Sequence, residues 1–221
     1  MKTISEIIAN YTLQNFLYDL ILIGVAYSYL LLTIFIPVYL EKKGLVSKFV
    51  ARKTIHLCTG LIVLIIPFFV LPLHGVYIAL SGIIVVYFSS INSPVRHLQE
   101  LYKSIVENDE QEIGRLQGPL YYSISITVLV TIFALFAPDQ LYFPICGILI
   151  MIISDTFASI IGNKFGRIIL APVYTGSQRT LEGSLTFFIS AFIICFSVFY
   201  FYGVGNLNHQ KILTFPLVLI Y

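Results

Sequence analysis

Six long apolar runs alternate along the chain with shorter polar segments. Each run is apolar on every side rather than at alternate positions, which favours helices over the strands of a membrane barrel. A helix needs about 17 to 25 such residues to cross a hydrocarbon core of roughly 30 Å. The pattern therefore predicts membrane-spanning helices near residues 16–40, 57–73, 76–91, 119–137, 141–161 and 183–202.

The composition agrees with lipid as the solvent of this chain. Of the 221 residues, 58% are hydrophobic and only 11% are charged, which leaves too little polar surface for a water-soluble globule of this size. We predict an all-α, polytopic transmembrane bundle of about six to seven spans, in one integral membrane domain that covers residues 1–221. Residues 212–221 are apolar as well, so we expect a seventh span that is truncated at the carboxyl end.

The positive charges are concentrated in three polar loops, residues 41–56, 92–118 and 162–182. These loops hold 11 of the 13 Lys and Arg residues, and they alternate with the other connections between the predicted spans. Short loops rich in Lys and Arg stay in the cytoplasm. We therefore predict that all three loops are cytoplasmic and that the amino terminus lies outside.

The second of these loops contains an amphipathic pattern. Between residues 94 and 106, apolar side chains such as Leu98 and Leu101 recur at helical spacing opposite charged ones. This pattern predicts a helix that lies on the membrane surface with its apolar side toward lipid.

Asp155 is the acidic residue that membrane insertion explains least well. It falls inside the run 141–161, where a carboxylate near the centre of a span costs roughly 2.5 to 3.5 kcal/mol. It is followed by Gly162, Lys164, Gly166 and Arg167. These residues favour a ligand or metal site that handles phosphate. A structural ion pair at Asp155 and close helix packing at the two glycines are the alternatives.

Polar residues also gather at the start of the last span, where Arg179, Thr180, Glu182 and Gly183 lie close together in sequence. The amino end of a helix attracts anions through its N–H groups and its dipole. Simple capping by Thr180 and dipole compensation by Glu182 are the alternative.

A third group, Arg52, Lys53 and His56, precedes the second span at neighbouring helical positions. Two cations beside an imidazole could bind phosphate or transfer a proton, and basic membrane anchors are the alternative. The chain has no Gly-x-x-x-x-Gly-Lys-Ser/Thr loop, so any nucleotide must be bound by another architecture.

Taken together, these residues resemble the CTP-dependent membrane kinases for phytol, dolichol and diacylglycerol, and their relatives the phosphatidate cytidylyltransferases. Four blocks carry the resemblance: Arg52-Lys53-x-x-His56, Gly118-Pro119-Leu120-Tyr121-Tyr122, Ser154-Asp155-Thr156-x-Ala158-Ser159-x-x-Gly162-x-Lys164-Phe165-Gly166 and Arg179-Thr180-x-Glu182-Gly183-Ser184.

The resemblance implies transfer of the terminal phosphoryl group of CTP to the hydroxyl of a membrane lipid alcohol such as a polyprenol, dolichol, phytol or diacylglycerol, with Mg²⁺ as cofactor. It implies an active site that faces the cytoplasm. It assigns Asp155, assisted by Glu182, to the metal, and Lys164 and Arg179 to the phosphates. Nucleotide binding or acceptance of the alcohol's proton would involve Arg52, Lys53 and His56, and the nucleotide site would also include Gly162, Gly166, Thr180 and Gly183.

Two other functions are compatible with the same residues. A cytidylyltransferase would make a CDP-lipid and release pyrophosphate. A transporter or assembly subunit would use Asp155 as a substrate or proton site within the bundle. In each case the partners are the bilayer and small molecules, and no nucleic acid is expected; the pattern does not determine the oligomeric state or the acceptor lipid.

Overall fold

A computed structural model describes residues 3–106, 111, 114–172 and 178–203. The chain folds into two compact units, Met1–Pro144 and Ile145–Tyr221. The described residues include five helices that are long and apolar enough to cross a membrane: Leu13–Lys42, Lys48–Phe68, Gln117–Phe136, Pro138–Phe165 and Leu181–Tyr202.

The third predicted run forms a shorter apolar helix, Leu73–Phe88. Its 16 residues rise about 24 Å, somewhat less than a full hydrocarbon core. The prediction of an all-α, polytopic bundle is confirmed. The predicted seventh run, 212–221, lies outside the described residues, and the side of the membrane that holds the amino terminus stays a prediction.

The described residues of the first unit include six α-helices. They are α1 (Ile4–Ala9), α2 (Leu13–Lys42), α3 (Lys48–Gly60), α4 (Leu73–Phe88), α5 (Arg96–Ile105) and α6 (Gln117–Phe136). Helix α3 continues as a 3₁₀ segment, Leu61–Phe68, and a second 3₁₀ turn, Pro138–Gln140, follows α6. Helix α2 packs along α3, and α4 packs along α6.

Local sequence signals set the ends of the long helices. The hydroxyl of Thr12 caps α2 by accepting from the Asn15 N–H at 3.3 Å, and the hydroxyl of Ser47 caps α3 in the same way. Gly44 follows the end of α2 with a φ of 69°, a left-handed conformation that glycine adopts without steric cost. The chain can therefore reverse direction between α2 and α3 within a few residues.

Helix α5 confirms the predicted amphipathic helix, and its position on the membrane surface stays a prediction, but several of its apolar side chains pack against protein rather than face lipid. Leu101, Tyr102 and Ile105 are at most 6% exposed and pack in one cluster with Val38 of α2 and Ile55 of α3. The apolar side of α5 is therefore covered by protein. A sequence pattern shows which side of a helix is apolar, but it does not distinguish a protein neighbour from lipid.

Polar contacts fix the same helix at its edge. Lys42 Nζ lies 2.7 Å from a carboxylate oxygen of Glu100, and the Ser104 hydroxyl donates to Glu41 at 2.9 Å. The Lys42 contact and the nearby Arg96 side chain hold the pKa of the Glu100 carboxyl below its usual value. These bonds join α5 to the end of α2.

A fully buried carboxylate, Asp19 of α2, organises the other end of this unit. Its oxygens accept from the backbone N–H groups of Val70 and Leu71 at 2.9 and 3.0 Å. The hydroxyl of Tyr11 donates to it at 2.8 Å, and Nδ1 of His74 lies at 3.0 Å. The network joins α2 to the chain before it and to the turn that leads into α4.

The second unit contains a helical stretch that changes its winding. Helix α7 (Tyr142–Leu149), in which the boundary between the two units falls, leads into a π-helical turn, Ile150–Ser154, and then into α8 (Asp155–Phe165). Strands β1 (Ile169–Pro172) and β2 (Gln178–Thr180) form an antiparallel pair that the sequence did not predict. Helix α9 (Leu181–Val198) packs along α8 and ends in a second π-helical turn, Phe199–Gly203.

Candidate functional site

Asp155 begins α8 directly after the π-helical turn, and its side chain is exposed. Turns of π-helix are rare in proteins, and those that occur are often found at functional sites. The hydroxyl groups of its two neighbours, Ser154 and Thr156, are buried, and neither has a hydrogen-bond partner among the described residues. A buried hydroxyl without a partner costs about 1 to 3 kcal/mol. The two unfavourably buried hydroxyl groups therefore flank Asp155, the carboxylate that the sequence had indicated.

Other helical hydroxyls of the chain show what the usual arrangement would be. Ser123, Thr127 and Ser190 each donate to the carbonyl oxygen four residues earlier, at 2.7 to 2.8 Å. Ser154 and Thr156 lack this bond although they are in helical conformation. The turn around Asp155 thus combines π-helical winding with two buried hydroxyls that have no hydrogen-bond partner among the described residues.

Three glycines allow α8 and α9 to approach each other closely. A Cβ atom on Gly162 would lie 3.0 Å from the Thr180 hydroxyl and 3.5 Å from Cα of Gly183. A Cβ on Gly183 would lie 2.9 Å from the carbonyl oxygen of Ala158, and one on Gly166 would overlap the Gly162 carbonyl and the Thr180 methyl group. These contacts give the glycines a packing role, and their predicted nucleotide binding stays a prediction.

Thr180 caps α9, which was the alternative to anion binding that the sequence left open. Its hydroxyl accepts from the Gly183 N–H at 3.3 Å, and the Leu181 N–H donates to the Ile168 carbonyl at 2.9 Å. The expectation of free N–H groups at this helix start is therefore wrong for these two residues. A phosphate would have to be bound mainly by cationic side chains nearby.

Glu182 fixes the segment that connects α8 to β1. Its two carboxylate oxygens accept from the backbone N–H groups of Arg167 at 3.0 Å and Ile168 at 3.4 Å. These bonds use one lone pair of each oxygen. They favour a structural role for Glu182, while its predicted contact with a metal stays a prediction.

An open depression lies at this corner of the second unit. It has a volume of about 420 Å³ and is lined by Lys164, Phe165, Gly166, Arg167 and Glu182. Both cationic side chains are exposed, and Lys164 Nζ lies 5.3 Å from the centre of the Phe165 ring. Two exposed cations above a backbone that Glu182 fixes can bind phosphate oxygens.

The remaining predicted cation of this unit, Arg179, lies on β2. Its side chain is exposed, and its backbone is in register with Ala171 of β1. It directly precedes Thr180, the residue that caps α9. The short strand pair thus holds Arg179 at the start of that helix.

The carboxylates allow a test of whether Mg²⁺ fits this unit. In phosphoryl-transfer sites Mg²⁺ binds one or two carboxylates, with substrate phosphates and water as its other ligands. No group of three His, Cys, Asp or Glu side chains in the described parts of the chain could hold a metal alone. The exposed carboxylate of Asp155 fits the pattern that shares Mg²⁺ with a nucleotide. Glu182 fits it less well because its oxygens already accept backbone hydrogen bonds.

The predicted residues Arg52, Lys53 and His56 lie on α3 in the first unit. Arg52 donates from Nη1 to the carbonyl oxygen of Ile105 at 3.1 Å, and thereby links α3 to the end of α5. His56, one turn later, packs against the ring of Tyr122 on α6, with ring centroids 4.6 Å apart and planes inclined at 50°. This contact brings together two sequence blocks, Arg52-Lys53-x-x-His56 and Gly118-Pro119-Leu120-Tyr121-Tyr122.

Arg167 lies in the depression beside Lys164, the residue with which the sequence had linked it to a phosphate site. Two other residues of interest were not predicted site residues: Tyr122 contacts His56, and Asp19 is a buried carboxylate with several hydrogen-bond donors. Tyr122 had a signal, since it lies in a motif block. Asp19 had a weaker signal, as an acidic residue inside the first apolar run.

Several known proteins are similar in sequence to this chain over most of its length. Dolichol kinase of Saccharomyces cerevisiae is 33% identical over 181 residues, which are 81% of this chain and 33% of that protein. Phytol kinase of Synechocystis is 29% identical over 180 residues, 79% of this chain and 69% of that protein. Phytol kinase 1, chloroplastic, of Arabidopsis thaliana is 25% identical over 185 residues, 78% of this chain and 55% of that protein.

The chain thus spans about one third of the yeast protein and about two thirds of the Synechocystis protein. No family model matches the sequence, and no solved structure matches it. The chain is therefore similar, over about four fifths of its length, to proteins named dolichol kinase and phytol kinase.

Proposed function

We propose that this chain is a CTP-dependent kinase that phosphorylates the hydroxyl group of a membrane lipid alcohol. The observation that carries the proposal is the arrangement of charge in the second unit. An exposed carboxylate, Asp155, begins α8, and exposed cations follow at the other end of that helix and on β2. Phosphoryl transfer needs chiefly positioning and charge neutralisation, which such residues supply.

The relatives support the class of acceptor. Their names specify dolichol and phytol, two long-chain isoprenoid alcohols. Such molecules partition into a bilayer, and this chain has five helices within its described residues that could share that bilayer. We therefore propose an isoprenoid or similar lipid alcohol as acceptor and the nucleotide CTP as donor, at a site that faces the cytoplasm.

The proposed reaction has a simple balance. The alcohol oxygen attacks the terminal phosphorus of CTP, the bond from that phosphorus to the bridging oxygen breaks, and CDP leaves. Lys164 and Arg179 bind phosphate oxygens, and the alcohol loses its proton to a base. Mg²⁺, when bound with the nucleotide through Asp155, would neutralise the charge of the phosphates.

The test uses the purified full chain in lipid nanodiscs with labelled CTP and a panel of phytol, a polyprenol and a diacylglycerol. We expect label from the γ position, and none from the α position, to enter the lipid. Lys164→Met and Arg179→Met should each lower turnover at least about tenfold, while Lys43→Met, which removes an exposed cation from the first unit, should not.

Two results would contradict the proposal. Label from the α position in the lipid would show a cytidylyltransferase. No label in any lipid, from CTP or from ATP, would remove the assignment as a kinase.

A further inference from the structure

We infer that Glu182 is a positioning residue: it fixes the backbone of Arg167, so that the guanidinium of Arg167 and the ammonium of Lys164 together bind the phosphate chain of the nucleotide. This role rests on the proposed function, because it concerns how the phosphoryl donor is held. All three residues line the same depression in the second unit. Glu182 would then act on the phosphates through the main chain and not through a metal ion.

Three hydrogen bonds tie the backbone at Arg167 to the start of α9. The two carboxylate oxygens of Glu182 accept from the N–H groups of Arg167 at 3.0 Å and Ile168 at 3.4 Å. The N–H group of Leu181 donates to the carbonyl oxygen of Ile168 at 2.9 Å. Bonds from backbone N–H groups to a carboxylate are charge-assisted and stronger than bonds between neutral groups. The main chain at Arg167 and Ile168 is therefore held in place.

The residue before Arg167 is held as well. The N–H group of Gly166 donates to the carbonyl oxygen of Gly162 at 3.0 Å, at the end of α8. A Cβ atom on Gly166 would overlap that carbonyl and the methyl group of Thr180, so the chain has no space to shift in that direction. On the other side, Ile169 pairs with Thr180 in the strand pair. The remaining freedom of Arg167 thus lies in its side-chain torsions.

The two cations of the depression suit a chain of phosphates. The Lys164 ammonium is a compact point charge, whereas the Arg167 guanidinium is a planar fork that binds two phosphate oxygens at once. Both side chains are exposed. The described bond between Glu182 and Arg167 uses the backbone N–H group and none of the guanidinium donors. The volume of about 420 Å³ is within the range of small-molecule sites.

A positioning role and the predicted metal role of Glu182 have different consequences. If Glu182 acts through Arg167, its effect on phosphate affinity disappears once the guanidinium is removed. If Glu182 binds Mg²⁺, its effect persists without the guanidinium and requires the metal. A double-mutant cycle separates the two roles, because independent groups give additive changes in free energy and coupled groups do not.

The experiment measures the binding of inorganic pyrophosphate and of CTP to the full chain in lipid nanodiscs, with and without Mg²⁺, well below the melting temperature of every variant. Arg167→Met should raise both Kd values about tenfold, because bonds to charged phosphate oxygens are lost. Arg167→Lys should raise them less, since it keeps the charge but not the fork. Glu182→Gln should raise them about threefold alone, and should add nothing in the Arg167→Met background.

Two control variants account for lost stability and lost charge. Val198→Ala truncates a side chain that is 4% exposed at the far end of α9, about 24 Å beyond Glu182. It should lower the melting temperature, as Glu182→Gln should, but leave both Kd values unchanged. Arg96→Met removes a cation from α5 whose side chain is 86% exposed, and it should also leave both Kd values unchanged.

Several outcomes would overturn the positioning role. An effect of Glu182→Gln that is as large in the Arg167→Met background shows that Glu182 acts independently of Arg167, and an effect that appears only with Mg²⁺ shows the metal role. Unchanged Kd values in Glu182→Gln, with a lowered melting temperature, show that its bonds serve stability alone. A wild-type protein that does not bind pyrophosphate shows that the depression is not a phosphate site.

The binding data and the kinase assay fail separately. If wild type transfers the γ-phosphoryl group to a lipid but Arg167→Met binds CTP normally, the positioning role is wrong while the kinase stands. If wild type binds pyrophosphate through the coupled pair of Glu182 and Arg167 but phosphorylates no alcohol, the proposed function is wrong while Glu182 remains a positioning residue of a phosphate site.

Discussion

The carboxylate of Asp19 and the imidazole of His74 lie 3.0 Å apart in the first unit, and the carboxylate is fully buried. Three more donors reach the same carboxylate, so both of its oxygens are hydrogen-bonded. The rings of Tyr11, Phe69 and Tyr77 surround the imidazole with centroids 5.8 to 6.3 Å away. The pair is thus a structural centre that joins α2 to α4.

Asp19→Asn should lower the free energy of unfolding by about 1 to 3 kcal/mol. In either orientation the amide nitrogen of asparagine faces at least one donor, and the negative charge is lost. Glu6→Gln is the control, because Glu6 is exposed and glutamine can preserve its capping contact with Thr3. Unfolding of both variants in detergent measures the difference, and equal stability of the two would show that the buried network contributes little.

Particular elements show how much of this fold the sequence could predict. All six apolar runs are helical because hydrophobicity that continues on every side leaves lipid as the only compatible solvent. The Asp19 network could not be derived in the same way, since Val70, Leu71 and His74 lie more than 50 residues away in sequence. Packing in three dimensions brings those groups together, and a local pattern does not contain that information.

The sequence likewise predicted only part of the candidate site. The sequence placed Asp155, Lys164, Arg179 and Glu182 near the ends of two helices, and they lie there. It did not predict the π-helical turn before Asp155, because a change of winding has no characteristic residue pattern. It also could not reveal that Glu182 bonds the backbone of the segment from Arg167.

The ion pair of Lys42 and Glu100 should make the attachment of α5 depend on pH. The Lys42 hydrogen bond holds the pKa of Glu100 below its usual value of 4.5. A lowered pKa in the folded state stabilises the fold above the unfolded value, and this contribution is lost as the pH falls through the folded value. Hydrogen exchange in α5, corrected for its intrinsic pH dependence, should therefore rise below about pH 4.5.

Glu100→Gln is the matched variant for that measurement. It cannot change its charge, so the added pH dependence of exchange should disappear. High salt should weaken the effect in wild type, because Glu100 and Lys42 are both accessible to solvent. An unchanged pH profile in Glu100→Gln would show that another group controls the attachment of α5.

The space around each glycine between α8 and α9 should determine how much its substitution by alanine lowers the stability of the protein. Gly166→Ala and Gly183→Ala force a Cβ against backbone atoms and should destabilise the second unit by about 1 to 3 kcal/mol. Gly162→Ala should cost less, because its nearest contact is the Thr180 hydroxyl at 3.0 Å. Gly82→Ala in α4 meets nothing within 4 Å and should stabilise the protein by about 0.5 to 1 kcal/mol.

Thermal unfolding in detergent measures the order of stability of the four variants. Nucleotide binding, measured separately, would reveal an additional role of Gly162 or Gly166 if affinity fell without a loss of stability. A stability of Gly183→Ala equal to that of Gly82→Ala would contradict the close approach of α8 and α9.

Asp155 and Glu182 should respond differently to loss of charge, and this comparison tests the site most directly. Asp155 is exposed at the start of α8, whereas Glu182 accepts two backbone hydrogen bonds. Asp155→Asn should lower phosphoryl transfer by about 100-fold or more, with little change in melting temperature, if its carboxylate acts on Mg²⁺ and the nucleotide phosphates. Glu182→Gln should chiefly lower stability, because an amide is a weaker acceptor for the N–H groups of Arg167 and Ile168.

A structural ion pair at Asp155 makes a different prediction. Its loss would leave a cation uncompensated, and a second substitution, Lys164→Met or Arg179→Met, would restore stability and activity together. The decisive measurement is the Mg²⁺ dependence of turnover in Asp155→Asn, alone and in each double variant, beside the melting temperature in detergent. Near wild-type turnover in the single variant would show that Asp155 does not act on the metal. Recovery in a double variant would show that Asp155 serves the fold, because no second substitution can replace a carboxylate that binds the metal.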